Sequence, residues 1–140
     1  MPADVQRVFP QVAATIADAL GRDVEEVQLD RSLIEDLGAE SIDFLDIVFR
    51  LERLFAVQIP RGKIVEDVRG DLGEGEFDVK GVLTDAGLAR LRAYLSEVPA
   101  ERFPVRLRVN DIPLLFTVET FCKVVVRAER QRAAVAGGAS

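Results

Sequence analysis

Two residues in this sequence stand out as able to carry covalent chemistry. One is Ser41, which follows the acidic Glu40 and opens an apolar run. The other is Cys122, the single cysteine of the chain. The chain has no histidine. A Ser–His or Cys–His relay is therefore impossible, as is a His-ligated zinc site. A serine at the start of a helix has a different use. Free amides and a partial positive charge gather there, so a phosphate esterified to its hydroxyl would be favourably placed. The ordinary alternative is that Ser41 is an N-cap. The third residue on from it is Phe44 rather than Glu or Gln, so the return half of a capping box is missing. Cys122 lies in an apolar stripe with no histidine to activate it, which predicts a small buried hydrophobe rather than a nucleophile.

The elements that must position these residues read as helices. Val5, Val8, Val12, Ile16 and Leu20 recur at steps of three and four, predicting a helix over Val5–Leu20 that Pro10 kinks or restarts and Gly21 caps. The acid-rich stretch 22–40 reads as a loop anchored by Leu29, Leu33, Ile34 and Leu37. A short helical turn is predicted at Ser32-Leu33-Ile34-Glu35. Ser41 to Phe55 is the strongest helix signal, with an apolar arc wide enough for two neighbours. Phe44, Leu45, Val48 and Phe49 are assigned mostly to core, and Pro60 helps end the pattern. Residues 61–81 read as a glycine-dotted mobile loop, followed by a helix from the N-cap Thr84 through Leu95. Val105, Leu107 and Val109 alternate with Arg106 and Arg108, a possible short strand near 105–109 without a clear partner. A last helix is expected over Thr117–Gln131, with 133–140 as a flexible tail.

Charge is unevenly spread along the 140 residues. Residues 1–60 hold 12 acids and 5 bases, and residues 61–140 hold 12 and 13, so the net −6 comes from the first part. This acidity disfavours nucleic acid and favours basic protein surfaces. One cysteine excludes an internal disulfide and fits a reducing compartment. No apolar stretch approaches the ~20 residues that span a bilayer, and Met1–Leu20 lacks a signal-peptide core. These readings predict a soluble, cytoplasmic monomer that neither binds nucleic acid nor inserts into a membrane.

The window Asp36-Leu37-Gly38-Ala39-Glu40-Ser41-Ile42-Asp43 resembles the attachment site of acyl carrier proteins, where D-L-G-x-D-S-L-[DE] precedes a helix ending near Ile-Pro. The likeness continues through Glu52, Phe55, Ile59 and Pro60, and Phe116–Phe121 resembles the start of the family's last helix. It covers residues 1–60 and about 113–131. The resemblance implies an all-α, acyl-carrier-like four-helix bundle and a carrier rather than an enzyme. It implies that a phosphopantetheinyl transferase moves 4′-phosphopantetheine from coenzyme A onto Ser41. It further implies delivery of thioester-bound acyl chains to synthases and acyltransferases whose basic patches meet Glu40, Asp43 and Asp46. A peptidyl or aryl carrier of nonribosomal synthesis, and an unmodified helical adaptor, remain open alternatives.

The chain departs from that family in three places. Glu40 replaces the usual aspartate, and Arg50 and Arg53 add positive charge to the helix after the serine. Residues 61–112 form a partly helical insert within what is expected to be one carrier domain over 1–140. Such an insert suits a specialised fatty-acid, lipid or polyketide carrier. It would cover long or unusual chains, dock one partner, or thicken the core.

Overall fold

The computed structural model describes residues 3–59 and 63–138, with Ser41, Lys63 and residues 135–138 described by their backbone. Five α-helices and one two-stranded hairpin are found among these residues, joined by 3-10 turns. The expectation of a helical, acyl-carrier-like bundle with extra helices holds. The chain divides into two compact units, Met1–Ile59 with Thr117–Ser140, and Pro60–Phe116.

In the first unit, α1 (Ala3–Leu20) packs against α2 (Ser41–Phe55) and α5 (Val118–Gly138), and α2 also meets α5. The predicted 3.6-residue stripe is the core. Val8, Val12 and Ile16 of α1, Ile47 and Leu51 of α2, and Val118, Cys122 and Val125 of α5 have no exposed surface. Pro10 does not restart the chain, because α1 is continuous through it. Pro10 and Gln6 are both exposed, on the side of α1 where a lost backbone hydrogen bond costs least. Gly21 ends the helix at φ 67°, with the Arg22 amide donating to the Ala17 carbonyl at 2.9 Å. Two ion pairs tie α1 to α5, Arg7 to Glu129 at 2.6 Å and Arg130 to Asp4 at 2.8 Å.

Helix α2 spans the residues expected of it. Pro60 lies outside the described residues, and the described stop is at Ala56, a left-handed C-cap at φ 53°. Arg132 of α5 donates to the Phe55 and Ala56 carbonyls, each at 2.9 Å. These bonds satisfy acceptors that a helix end leaves open. A Cβ in the left-handed region is strained and a glycine is not. Ala56→Gly should therefore raise the stability by about 0.5–1 kcal/mol in urea unfolding. No gain, or a loss, would show that the Arg132 bonds already remove the strain.

Helix α5 runs past Gln131 to Gly138, so residues 133–138 of the expected tail are helical. Its start is capped reciprocally. The Thr117 hydroxyl oxygen accepts from the Thr120 amide at 3.2 Å, and that of Thr120 accepts from the Thr117 amide at 3.1 Å.

The second unit corrects two sequence expectations. Residues 61–81 are not simply loop, since α3 (Lys63–Arg69) forms there. Seven residues with adjacent β-branched Ile64 and Val65 give too short and too weak a signal for periodicity to register. Strands β1 (Asp78–Val79) and β2 (Val82–Leu83) form a hairpin. Its turn residues, Lys80 and Gly81, both have positive φ, 52° and 83°, the geometry that matches strand twist. Thr84 caps α4 (Asp85–Tyr94) as expected, its hydroxyl oxygen accepting from the Gly87 amide at 3.0 Å. The alternation near 105–109 does not make a strand. Val105 is 97% exposed, and one antiparallel bridge, Arg108 to Val82, replaces the ladder. Residues Val109–Leu115 then turn as a 3-10 helix.

Candidate functional site

The site begins with a loop held from below. Val27, Leu33, Leu37 and Ala39 are buried, while Gly38 and Glu40 between and after them are exposed. The amides of Val118 and Glu119, in the first turn of α5, donate to the Arg31 and Leu29 carbonyls at 3.1 and 3.0 Å. Ser32 forms a bridge with Thr117. The predicted turn at Ser32 is present. The Ser32 hydroxyl oxygen accepts from the Glu35 amide at 3.1 Å, and Asp36, rather than Glu35, returns to the Ser32 amide at 2.7 Å. Gly38 closes the turn at φ 73°, and the Ala39 amide donates back to the Leu33 carbonyl at 2.8 Å. A residue with a Cβ would be strained there. The loop thus delivers the chain to α2 with two buried side chains and a fixed reversal.

Ser41 is the first residue of α2, and the N-cap is Glu40, in extended conformation at φ −107° and ψ 168°. The Asp43 carboxylate accepts from the Glu40 amide at 2.7 Å. The ordinary alternative of Ser41 as N-cap therefore gives way to Glu40. The capping pair is Glu40 and Asp43, one position earlier, and its Glu-x-x-Asp spacing was legible in the sequence. Ser41 stands at the first helical position, one residue past the cap. The residues on either side of Ser41 face water, with Glu40 exposed and Ile42 at 70%. The position of the Ser41 hydroxyl itself lies outside what is described.

The three acidic candidates are brought to one end of α2 but are not alike. Glu40 is exposed, Asp43 is half-buried and engaged in the cap, and Asp46 is half-buried and paired with Arg50 Nε at 3.1 Å. Arg50 also reaches Asp18 of α1 at 2.5 Å. Hydrogen bonds that it donates to Asp46 and then Asp18 hold its guanidinium above the usual arginine range. Arg50 thus partly neutralises this face, which the sequence alone did not reveal, since Asp18 is 32 residues away. Nor is the wide apolar arc mostly core. Phe44, Leu45 and Val48 are half-buried and Phe49 is 53% exposed. Phe44 stacks on Phe121 of α5, ring centroids 5.8 Å apart.

Cys122 has no exposed surface. Burial, then the nearby Glu119 charge, push its thiol up to about 12. It stays protonated at neutral pH and supplies no thiolate. No group of His, Cys, Asp and Glu able to hold a metal ion occurs among the described residues. No described helix is long and apolar enough to cross a membrane.

Comparison with known proteins gives this helix start a context. The family described as the phosphopantetheine attachment site matches residues 10–68. The chain is 42% identical over 53 residues to the acyl carrier protein of Clostridium acetobutylicum, across 38% of this chain and 69% of that protein. With the acyl carrier protein AcpXL of Rhizobium meliloti it shares 38% identity over 76 residues, 54% of this chain and 80% of that protein. The chain belongs to the acyl carrier protein family. AcpXL of Mesorhizobium japonicum is similar as well, 38% identical over 60 residues, 43% of this chain and 64% of that one. No solved structure matches.

An acyl carrier protein is a carrier and not an enzyme, and its prosthetic group is covalently bound 4′-phosphopantetheine. The start of α2 fits that group. A 15-residue helix presents its N-terminal amides, its cap is made by neighbouring side chains, and the flanking positions face water. The family match extends to residue 68, past the expected start of the insert at 61 and through most of α3.

Proposed function

We propose that Ser41 is the attachment residue and that this acyl carrier serves a specialised fatty-acid, lipid or polyketide pathway. When bound, the group supplies a terminal thiol on which acyl chains travel as thioesters. The observation that carries the proposal is the place of Ser41 at the first position of α2, one residue after the Glu40 cap. A phosphodiester formed there would meet the positive end of the helix. The pinned loop of Leu37 and Ala39 holds this start fixed while a phosphopantetheinyl transferase acts. The test is intact mass after incubation with coenzyme A and a broad-range transferase. A gain of one phosphopantetheinyl group, mapped to Ser41 by peptide fragmentation, is expected. An unmodified folded protein across several transferases would favour the helical adaptor.

We further propose that basic patches of synthases, acyltransferases and the transferase dock on Glu40, Asp43 and Asp46. Exposed Ile42 and Phe49 stand at i and i+7 and so flank Asp46 on the same face of α2. An apolar contact ringed by charge is how specific docking is usually built. Asp43 also caps the helix, so its reversal would mix two effects. Asp46→Lys is the cleaner variant. It should weaken transferase binding about 3–10-fold and flatten its salt dependence, with helix content unchanged by circular dichroism. Unchanged affinity would remove Asp46 from the docking face.

A further inference from the structure

The second unit carries a basic concavity that carrier chemistry does not use. It encloses about 710 Å³ of solvent space, lined among others by Val79, Lys80, Val82, Arg106, Arg108 and Asn110. That falls within the roughly 300–1,000 Å³ of ordinary ligand pockets. No acidic side chain is among its lining residues. The nearest acid in the hairpin, Asp78, accepts from the Gly81 amide at 3.1 Å. Lys80, Arg106 and Arg108 are exposed and form no ion pair among the described residues. In a chain of net charge −6, three unpaired cations around one hollow are a local reversal of sign.

The hollow is built rather than accidental. Arg106 and Arg108 flank buried Leu107 in one segment, and both line the hollow. That segment is fixed to the hairpin by the Leu83 amide on the Leu107 carbonyl and the Val109 amide on the Gly81 carbonyl, each at 2.8 Å. The hairpin contributes Lys80 at φ 52°, a turn position where glycine or asparagine is the unstrained choice. The turn thus sets a third cation on the rim beside the two guanidinium groups.

We propose that this concavity binds a phosphate group carried as a dianion. The two planar guanidinium forks and one ammonium match its charge and its acceptor oxygens. A soluble phosphate compound and a phosphate-bearing lipid headgroup offer the same chemistry, and the test separates them. The isotope-labelled full chain is titrated with inorganic phosphate at constant ionic strength, with chloride as control. It is also sedimented with phosphatidylcholine vesicles containing or lacking phosphatidic acid. The expected result is saturable shifts of the amides of 79–84 and 106–110, or binding only to the phosphatidic acid vesicles. Arg106→Gln with Arg108→Gln should weaken either response about tenfold or more. Arg22→Gln with Arg53→Gln, an equal charge change in the first unit, should not. Lys80→Gly should melt higher and yet bind more weakly. No saturable response in either arm, or a response unchanged in the Arg106/Arg108 variant or in Lys80→Gly, overturns the proposal.

Discussion

Ser41→Ala is expected to abolish incorporation of the phosphopantetheinyl group completely while leaving the fold almost unaltered. The two halves of that expectation rest on different facts. Loss of the hydroxyl removes the atom that would be esterified, and the other candidate for covalent chemistry, Cys122, is buried and protonated. Retention of the fold follows from the cap. Replacing a capping side chain costs about 1 kcal/mol, but here Glu40 and Asp43 do that work and Ser41 is already the first helical residue. Ser41→Ala should therefore cost less than about 0.5 kcal/mol, as alanine is the better helix former. Asp43→Ala should cost about 1 kcal/mol while Ser41 remains modifiable. Intact mass and urea unfolding on the two variants separate site from cap. Residual modification of Ser41→Ala would place the attachment elsewhere, and a large stability loss would return the capping role to the serine.

Gly87→Ala is expected to destabilise the second unit by about 2–3 kcal/mol, against the direction that helix propensity gives. Glycine inside a helix ordinarily costs about 1 kcal/mol relative to alanine, so the sequence of α4 invites this substitution as an improvement. The structure reverses the sign. A Cβ at Gly87 would overlap the Phe77 carbonyl oxygen and press on the Phe77 ring. That carbonyl cannot easily retreat, because it accepts from the Thr84 amide at 3.0 Å, and Phe77 is only 1% exposed. The Thr84 hydroxyl, which caps α4, also donates to the Glu76 carbonyl at 2.5 Å. The cap, the hairpin exit and the glycine form one close-packed joint. Chemical unfolding and hydrogen exchange of the α4 amides would measure the loss. A variant as stable as the parent would mean that the hairpin yields.

The periodic spacing of Val5, Val8, Val12 and Ile16, and the run from Ser41 to Phe55, were legible because a core-facing helix must repeat every three or four residues. The window around Ser41 was legible for a related reason. Leu37 and Ala39 must be buried, Gly38 must turn and the helix must start, and each demand constrains a residue type. What remained hidden depends on residues distant in sequence. Arg50 is claimed by Asp18 as well as by its own helix neighbour, Arg132 closes the end of α2, and α5 amides hold the loop at Leu29 and Arg31. None of these follows from periodicity, since each depends on which helices become neighbours. Helix α3 and the hairpin were missed because seven residues, and two strands of two, are too short to show a period.

The sequence by itself determined a helical carrier without a histidine relay and offered Ser41 for the attachment proposed above, because residue types and local spacing suffice for that. Tertiary structure alone decided that Asp18 of α1 shares Arg50 with Asp46, and that Lys80, Arg106 and Arg108 meet around one hollow. Charges separated by 26 residues acquire a joint meaning only when backbone hydrogen bonds bring their strands together.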